Sequence, residues 1–198
     1  MKYLFDLDGT ITSQETLPII ARLGGVADRI DGLTKETIQG NVPFIESFIQ
    51  RVNILKDISV SAISDRLAKV PLYQGVHRYI MEHPDDCIVV TGNLSCWCEG
   101  LFKAIGCRCY SSKARVENDT VVKRLSILRK ETVVDEFKAQ GEKVVFIGDG
   151  NNDMEAMRHA DISIAAGLTH NPANSLFAIT DYMVFNETAL CRLLNQLS

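Results

Sequence analysis

The chain has 198 residues, 46% of them hydrophobic, and a formal net charge of −4, which suits one buried core or one core carrying a smaller insertion. No lysine/arginine block supports nucleic-acid binding, and no apolar run approaches the ~20 residues of a membrane helix. The first strand begins at the N-terminus, where a signal peptide would otherwise stand, so a cytoplasmic protein with neither nucleic-acid nor membrane partners is expected.

Lys2–Leu7 (KYLFDL) reads as a strand, and two aspartates, Asp6 and Asp8, stand at its end. Carboxylates this close repel unless a cation or a shared proton offsets the charge. Ser13–Val70 contains no convincing strand; ETLPIIARLG, TKETIQG, PFIESFIQRVNILKD and SVSAISDRLAKV carry helical periodicity instead. A helix at Gly75–Glu82, a strand at Cys87–Val90 and a helix at Ser95–Ile105 follow. ARVENDTVVKRL reads as a hairpin turning at Glu117-Asn118-Asp119. Then come helix Glu131–Gln140, strand Lys143–Gly148, helix Asp153–His159, strands Ile162–Ala166 and Tyr182–Phe185, and helix Glu187–Leu197. Near-continuous apolar strands alternating with helices imply a parallel sheet covered on both faces. The expected class is α/β: a Rossmann-like parallel sheet flanked by helices, built from residues 1–12 and 71–198. Residues 13–70 form an inserted all-helical cap over the carboxyl ends of the strands, where open α/β sheets bind ligands.

Four of the six cysteines form two C-x-C pairs, Cys96/Cys98 and Cys107/Cys109. Structural zinc pairs are usually C-x₂₋₄-C, and positions two apart on a helix do not share a face. Buried, reduced thiols packing as small hydrophobes are expected.

The chemistry concentrates at strand ends. VVFIGDGNNDMEAM places Asp149 directly after an apolar strand and Asp153 four residues later. In a parallel sheet Asp6, Asp8, Asp149 and Asp153 converge on one rim, and converging carboxylates require a cation. Oxygen-only ligation favours Mg²⁺. A third strand end, IVVTGN, offers the Thr91 hydroxyl and the open Gly92 amide just before a helix, a small anion cradle. Lys130, opening the next helix but one, is the best candidate to balance a phosphate there, while Lys123, Lys138 and Lys143 read as solvated.

DLDGT, TGN, a lysine at a helix start and GDGNND, in this order, resemble the four motifs of the haloacid dehalogenase superfamily. The resemblance implies that Asp6 is a nucleophile forming an aspartyl-phosphate and that Asp8 is the general acid and then base. It further implies that Thr91, Gly92 and Lys130 hold the phosphoryl oxygens. Mg²⁺ would be held by Asp6, the Asp8 backbone carbonyl and Asp149, with Asp153 supporting the shell. A carboxylate nucleophile divides one difficult hydrolysis into two easier steps, and phosphoryl transfer depends mainly on positioning and charge neutralisation.

The insert resembles the cap of phosphoserine phosphatases through Glu15 in SQET, LTKETIQG, Phe44 in VPFIES and QRVNILKD. That resemblance implies Glu15 for the substrate ammonium, Arg51 for its carboxylate and Phe44 as a shield, with Asn93 and Asn152 beside the substrate. Phe44, Phe48 and Arg51 share a helical face by spacing. Gly9 stands where that family commonly has serine, Thr91 for serine, Asn93 for glycine and Ile38 for methionine, and the hairpin is short. The expected activity is Mg²⁺-dependent hydrolysis of a small phosphorylated metabolite, O-phosphoserine first. Phosphothreonine, a sugar or nucleotide phosphate, transfer to an alcohol such as homoserine, and a non-catalytic phosphate-binding module are the alternatives.

Overall fold

The computed structural model describes residues 1–38 and 41–197. Its elements run β1 (Lys2–Phe5), α1 (Thr16–Leu23), α2 (Ala27–Ile38), α3 (Phe44–Leu55), α4 (Val60–Leu67), α5 (Gln74–Glu82), β2 (Cys87–Leu94), α6 (Ser95–Ile105), β3 (Arg108–Glu117) and β4 (Thr120–Ser126). They continue with α7 (Lys130–Ala139), β5 (Val144–Gly148), α8 (Met154–His159), β6 (Ile162–Ala166), β7 (Tyr182–Val184) and α9 (Glu187–Leu197). Among the described residues the strands form one seven-stranded sheet in the order β4-β3-β2-β1-β5-β6-β7, parallel except for the antiparallel β3–β4 hairpin.

The central strands β1, β2 and β5 are buried on both faces because the runs Tyr3–Phe5, Cys87–Val90 and Val144–Ile147 are apolar on both sides. Tyr3, Phe5, Val89, Val145 and Ile147 face one core with α5, α6 and α9. Leu4, Ile88, Val90, Val144 and Phe146 face the other with α7 and α8. The chain builds outward from β1 in both directions, so β1 is the switch point where the connections change side. Register aligns Phe5 with both Val89 and Ile147, which brings the ends of β1, β2 and β5 together.

Helices α1–α4 form the insert between β1 and α5. Its two connections run side by side: the Ser13 amide donates to Pro71 O at 2.9 Å and the Tyr73 amide to Ile11 O at 2.9 Å. A second support comes from the hairpin. Asn118 and Asp119 turn it with φ of 48° and 62°, at the expected place. The Val60 amide donates to Asp119 O at 2.8 Å, and the Ser61 amide donates to Asp119 Oδ1 at 2.9 Å.

Two readings require correction. β2 continues through Thr91, Gly92 and Asn93 to Leu94 instead of ending at Val90. The first half of β3, Arg108–Ser112, is a parallel strand beside β2 where no strand was expected. Its sequence, RCYSS, is polar and its outer neighbour covers little of it, so it lacks the apolar run that marked the central strands.

The insert meets the core where α4 crosses α6. A β-carbon on Gly100 would lie 2.9 Å from both Ser64 O and Ala68 Cβ, so the crossing needs the missing side chain. Gly100→Leu should lower stability by about 1–3 kcal/mol through overpacking, despite the helix propensity gained. Urea unfolding checks this, as a lower midpoint with an unchanged slope.

Candidate active site

The site forms at the switch point. Asp6 follows β1 directly, and its amide donates to Ile147 O of β5 at 2.8 Å, which ties the two strand ends. Lys130, the first residue of α7, is 3% exposed. Its Nζ lies 2.5 Å from Asp6 Oδ1 and 2.6 Å from Asp153 Oδ1. Asp153 then closes the turn after β5: its Oδ2 accepts from the Asp149 amide at 3.1 Å and the Gly150 amide at 2.9 Å. That turn needs Gly148, where a β-carbon would come within 2.5 Å of Asp153 Cγ. Gly9 is required twice over. Its φ is +72°, and a β-carbon there would lie 2.6 Å from Asp149 Oδ2.

Electrostatics at the rim are unbalanced. Asp6, Asp149 and Asp153 are all buried, and one oxygen from each lies within 4.8 Å of the others. Burial, reinforced by the Asp153 charge, pushes the Asp6 carboxyl well above its usual range, against the pull of Lys130. Burial likewise pushes Asp149 up to about 6. It would lower Lys130, but the Asp153 and Asp6 carboxylates override it and raise the ammonium, which keeps it charged. The candidate ligand atoms that Asp6, Asp149 and Asp153 bring together are all carboxylate oxygens. That donor set fits a hard divalent cation.

Asp8 is turned away from this cluster. Its Oδ1 accepts from the Thr16 amide at the start of α1 at 2.6 Å. Burial first, and the nearby Glu15 charge second, push it up to about 7, although the Thr16 bond opposes this. The site therefore holds a carboxyl that can carry a proton at neutral pH beside one fixed to an ammonium.

The expected phosphate cradle lies on the neighbouring strand. Thr91 is buried, and its Oγ1 accepts from the Asn93 amide at 3.1 Å; Gly92 is partly exposed. The Asn93 carboxamide is committed elsewhere, donating to Thr16 Oγ1 at 2.5 Å and accepting from the Leu94 amide at 3.1 Å. It ties β2 to the insert. Asn152 is half-buried with its carboxamide oxygen over Gly150. Glu15 immediately precedes α1. Arg51, on α3, is buried; burial lowers its guanidinium and the Glu15 charge opposes this, so the two act across one space. Gln39, Gly40 and the side chains of Ile38 and Phe44 lie outside the described residues.

The sequence reading missed His170. It stands on the loop after β6, with Nε2 3.0 Å from Asp149 Oδ2 and 3.2 Å from Glu15 Oε1. Asp149, then Glu15, push it up to about 11. The loop is anchored by the Ala173 amide donating to Asp149 O at 2.8 Å. The available signal was positional: β6 is parallel to β5, so the polar GLTHNPAN segment leaves it on the same rim.

Known proteins are similar to this chain in sequence and fold. A model of the haloacid dehalogenase-like hydrolases matches residues 3–161. A phosphoserine phosphatase of Archaeoglobus fulgidus is 27% identical over 175 residues, covering 82% of this chain and 51% of the relative. One of Methanocaldococcus jannaschii is also 27% identical over 175 residues, covering 82% of this chain and 83% of the relative. The chain thus spans about half the length of the first relative. Among solved structures, a phospho-aspartyl intermediate analogue of phosphoserine phosphatase superposes with a TM-score of 0.81 at 22% identity, covering 96% of this chain and 97% of the other. A substrate-bound phosphoserine phosphatase complex superposes with a TM-score of 0.82 at 21% identity, covering 98% of each chain. At those identities the superpositions establish the fold alone; the family match extends through every strand-end aspartate of the site, and the chain belongs to the haloacid dehalogenase-like hydrolases.

Proposed function

We propose that this hydrolase is a Mg²⁺-dependent phosphomonoesterase whose preferred substrate is O-phosphoserine. The observation that carries the reading is the contrast between two neighbouring carboxyls. Asp6 lies against the Lys130 ammonium at 2.5 Å, which favours its ionised form although burial opposes this, whereas Asp8 accepts from the Thr16 amide instead and is pushed up to about 7 by burial. In this mechanism an Asp6 oxygen attacks phosphorus and the ester oxygen leaves. Asp8 gives that oxygen its proton, so the alcohol departs neutral. Asp8, now ionised, takes a proton from the water that cleaves the aspartyl-phosphate, returning Asp6 and releasing phosphate. Lys130, the Thr91 hydroxyl and the Gly92 amide hold the phosphoryl oxygens. Asp6, Asp149, Asp153 and the Asp8 backbone carbonyl would hold Mg²⁺, which supplies charge neutralisation at the transferring group.

Residues 13–70 act as the cap in this reading, and 1–12 with 71–198 as the catalytic core. The paired connections between Ile11–Ser13 and Pro71–Tyr73 support that division. Glu15 and Arg51 would take the ammonium and carboxylate of a small zwitterion, with Phe44 and Asn152 beside it, while Asn93 positions the cap. The names of the Archaeoglobus and Methanocaldococcus relatives support phosphoserine. The His170 contact to Glu15 favours a second reading, another small phosphomonoester or transfer to an alcohol, because one Glu15 oxygen already has a cationic partner.

Phosphate release from phosphoserine tests the chemistry. Wild type should turn over with Mg²⁺ and stop on chelation. Asp6→Asn should stop with Mg²⁺ present while melting cooperatively, because the near-isosteric amide cannot form the acyl phosphate. Turnover by Asp6→Asn near the wild-type rate would exclude Asp6 as nucleophile.

The protonated form of Asp8 is the active acid, so its contribution is present below its pKa and lost as pH rises. The rate on an alkyl phosphate, whose leaving group needs the proton, should fall above about pH 7. An aryl phosphate, which leaves without help, should show a flatter profile. Parallel profiles would count against this role.

Arg51→Ala should cost phosphoserine hydrolysis on the order of 2–5 kcal/mol in kcat/KM, because the substrate carboxylate is left unpaired in a closed site. Arg51→Lys should recover only part, since an ammonium lacks the bidentate fork. Glu15→Gln should also favour the aryl phosphate over phosphoserine. Equal losses on both substrates would assign Glu15 and Arg51 to cap architecture instead of substrate reading.

A further inference from the structure

Two groups of ligating atoms meet at Asp149. One is the oxygen-only group with Asp6 and Asp153; in the other, one atom each from Glu15, Asp149 and His170 lies within 4.8 Å of the others. Among the described residues the cysteines join neither group. Cys87 and Cys98 are buried as expected, but Cys96, Cys107, Cys109 and Cys191 are half-exposed. The proposed hydrolysis gives His170 no part, yet its loop is firmly held. The Ala173 amide donates to Asp149 O at 2.8 Å, and the Thr169 hydroxyl donates to Gly9 O at 3.4 Å and meets the Tyr73 hydroxyl at 3.0 Å. His170 Nδ1 lies 3.0 Å from Asn171 O. A carbonyl only accepts, so Nδ1 carries the proton. The same bond orients metal-ligating histidines, whose second nitrogen then offers its lone pair. Here that nitrogen, Nε2, faces Asp149 Oδ2 at 3.0 Å and Glu15 Oε1 at 3.2 Å.

We propose that Glu15, Asp149 and His170 form a three-ligand site for a borderline divalent cation of the Zn²⁺ class, which staples the helical insert to the core. The nitrogen ligand separates this site from the oxygen-only one that suits Mg²⁺. Donors about 2.0–2.2 Å from a tetrahedral ion lie about 3.3 Å from each other, close to the separations of Nε2 from the two carboxylate oxygens. Three protein ligands with a fourth position for water make an open zinc site, and Glu15 and His170 remain solvent-accessible, 43% and 48% exposed. The two carboxylates hold a proton on the ring when no metal is bound, which raises His170 to about 11; a divalent ion satisfies the same carboxylates by replacing that proton. Asp149 has two oxygens and can serve both groups at once. Glu15 begins the insert, whereas Asp149 and His170 follow β5 and β6, so the ion would join the two parts of the chain. An ion on Glu15 also competes with a substrate ammonium; that consequence, unlike the binding itself, rests on the function proposed above.

The test is titration of the purified chain, in excess Mg²⁺, with Zn²⁺ against the chromophoric chelator 4-(2-pyridylazo)resorcinol, and separately with Co²⁺ read by its d–d absorption. Wild type should take one Zn²⁺ per chain, show the intense bands of four-coordinate Co²⁺, and melt at a higher temperature with Zn²⁺ than without. His170→Ala and Glu15→Gln should each lose the thermal shift and weaken Zn²⁺ binding about 100-fold or more, since losing a ligand costs at least as much as losing an outer partner. His159→Ala, whose ring pairs with Asp135 instead, should bind as wild type does. Melting curves without Zn²⁺ establish that each variant folds. Wild-type affinity in His170→Ala would overturn the proposal, as would failure of wild type to compete with the chelator. So would complete displacement of Zn²⁺ by excess Mg²⁺, which would place the ion in the Asp6 cluster. Phosphoserine hydrolysis by the Mg²⁺-loaded chain is followed alongside, and Zn²⁺ should inhibit it in wild type more than in His170→Ala. Absence of any hydrolysis would refute the proposed function, while Zn²⁺ affinity and the thermal shift would still decide this site.

Discussion

The Lys130 ammonium is the contact on which the site depends. It enters from the first turn of α7 and touches both the carboxylate after β1 and the one that closes the turn after β5. Three motifs far apart in sequence are thereby held at one point. Being fully enclosed, each partner is costly to leave unpaired. The arrangement nevertheless carries more carboxylate than ammonium, since Asp149 joins Asp6 and Asp153 within 4.8 Å. The third acid, Asp149, meets His170 instead, with its Oδ2 3.0 Å from Nε2. The cluster of carboxylate oxygens and the close approach that Gly9 permits suit the cation and phosphate ester of the proposed function.

Much of this was legible because the relevant residues follow apolar strands. KYLFD and VVFIGD mark buried parallel strands by composition, and a residue placed directly after such a strand must lie on the rim. Asp6, Asp8, Asp149 and Asp153 were therefore readable by position as well as by motif. β3 was not, because Arg108–Ser112 is half-solvated and its hydrogen bonds to β2 leave no hydrophobic signature. His170 was missed for a related reason. Its loop is polar and carries no motif, and its importance arises only when the β6 end is set beside Asp149. Asn93 was legible as a rim residue but not as a tether, since its partner Thr16 lies 77 positions away.

The helical insert is tied to the rim through Glu15 and Thr16, at the start of α1. The Thr16 amide donates to Asp8, the Thr16 hydroxyl accepts from Asn93, and Glu15 reaches His170. Each of these contacts joins the start of α1 to a different strand end, so the position of the insert is set at the rim itself and not only by its packing on α6.

This coupling has a thermodynamic direction. An N–H donor stabilises an ionised carboxylate more than a protonated one, so the Thr16 bond pulls Asp8 down while burial and Glu15 push it up. Any arrangement that lengthens the Thr16 contact must raise Asp8 and keep its proton on. By linkage, ionised Asp8 favours the arrangement in which the start of α1 is held against the rim. In the proposed mechanism, the proton on Asp8 and the seating of α1 against the rim are thus linked through one hydrogen bond.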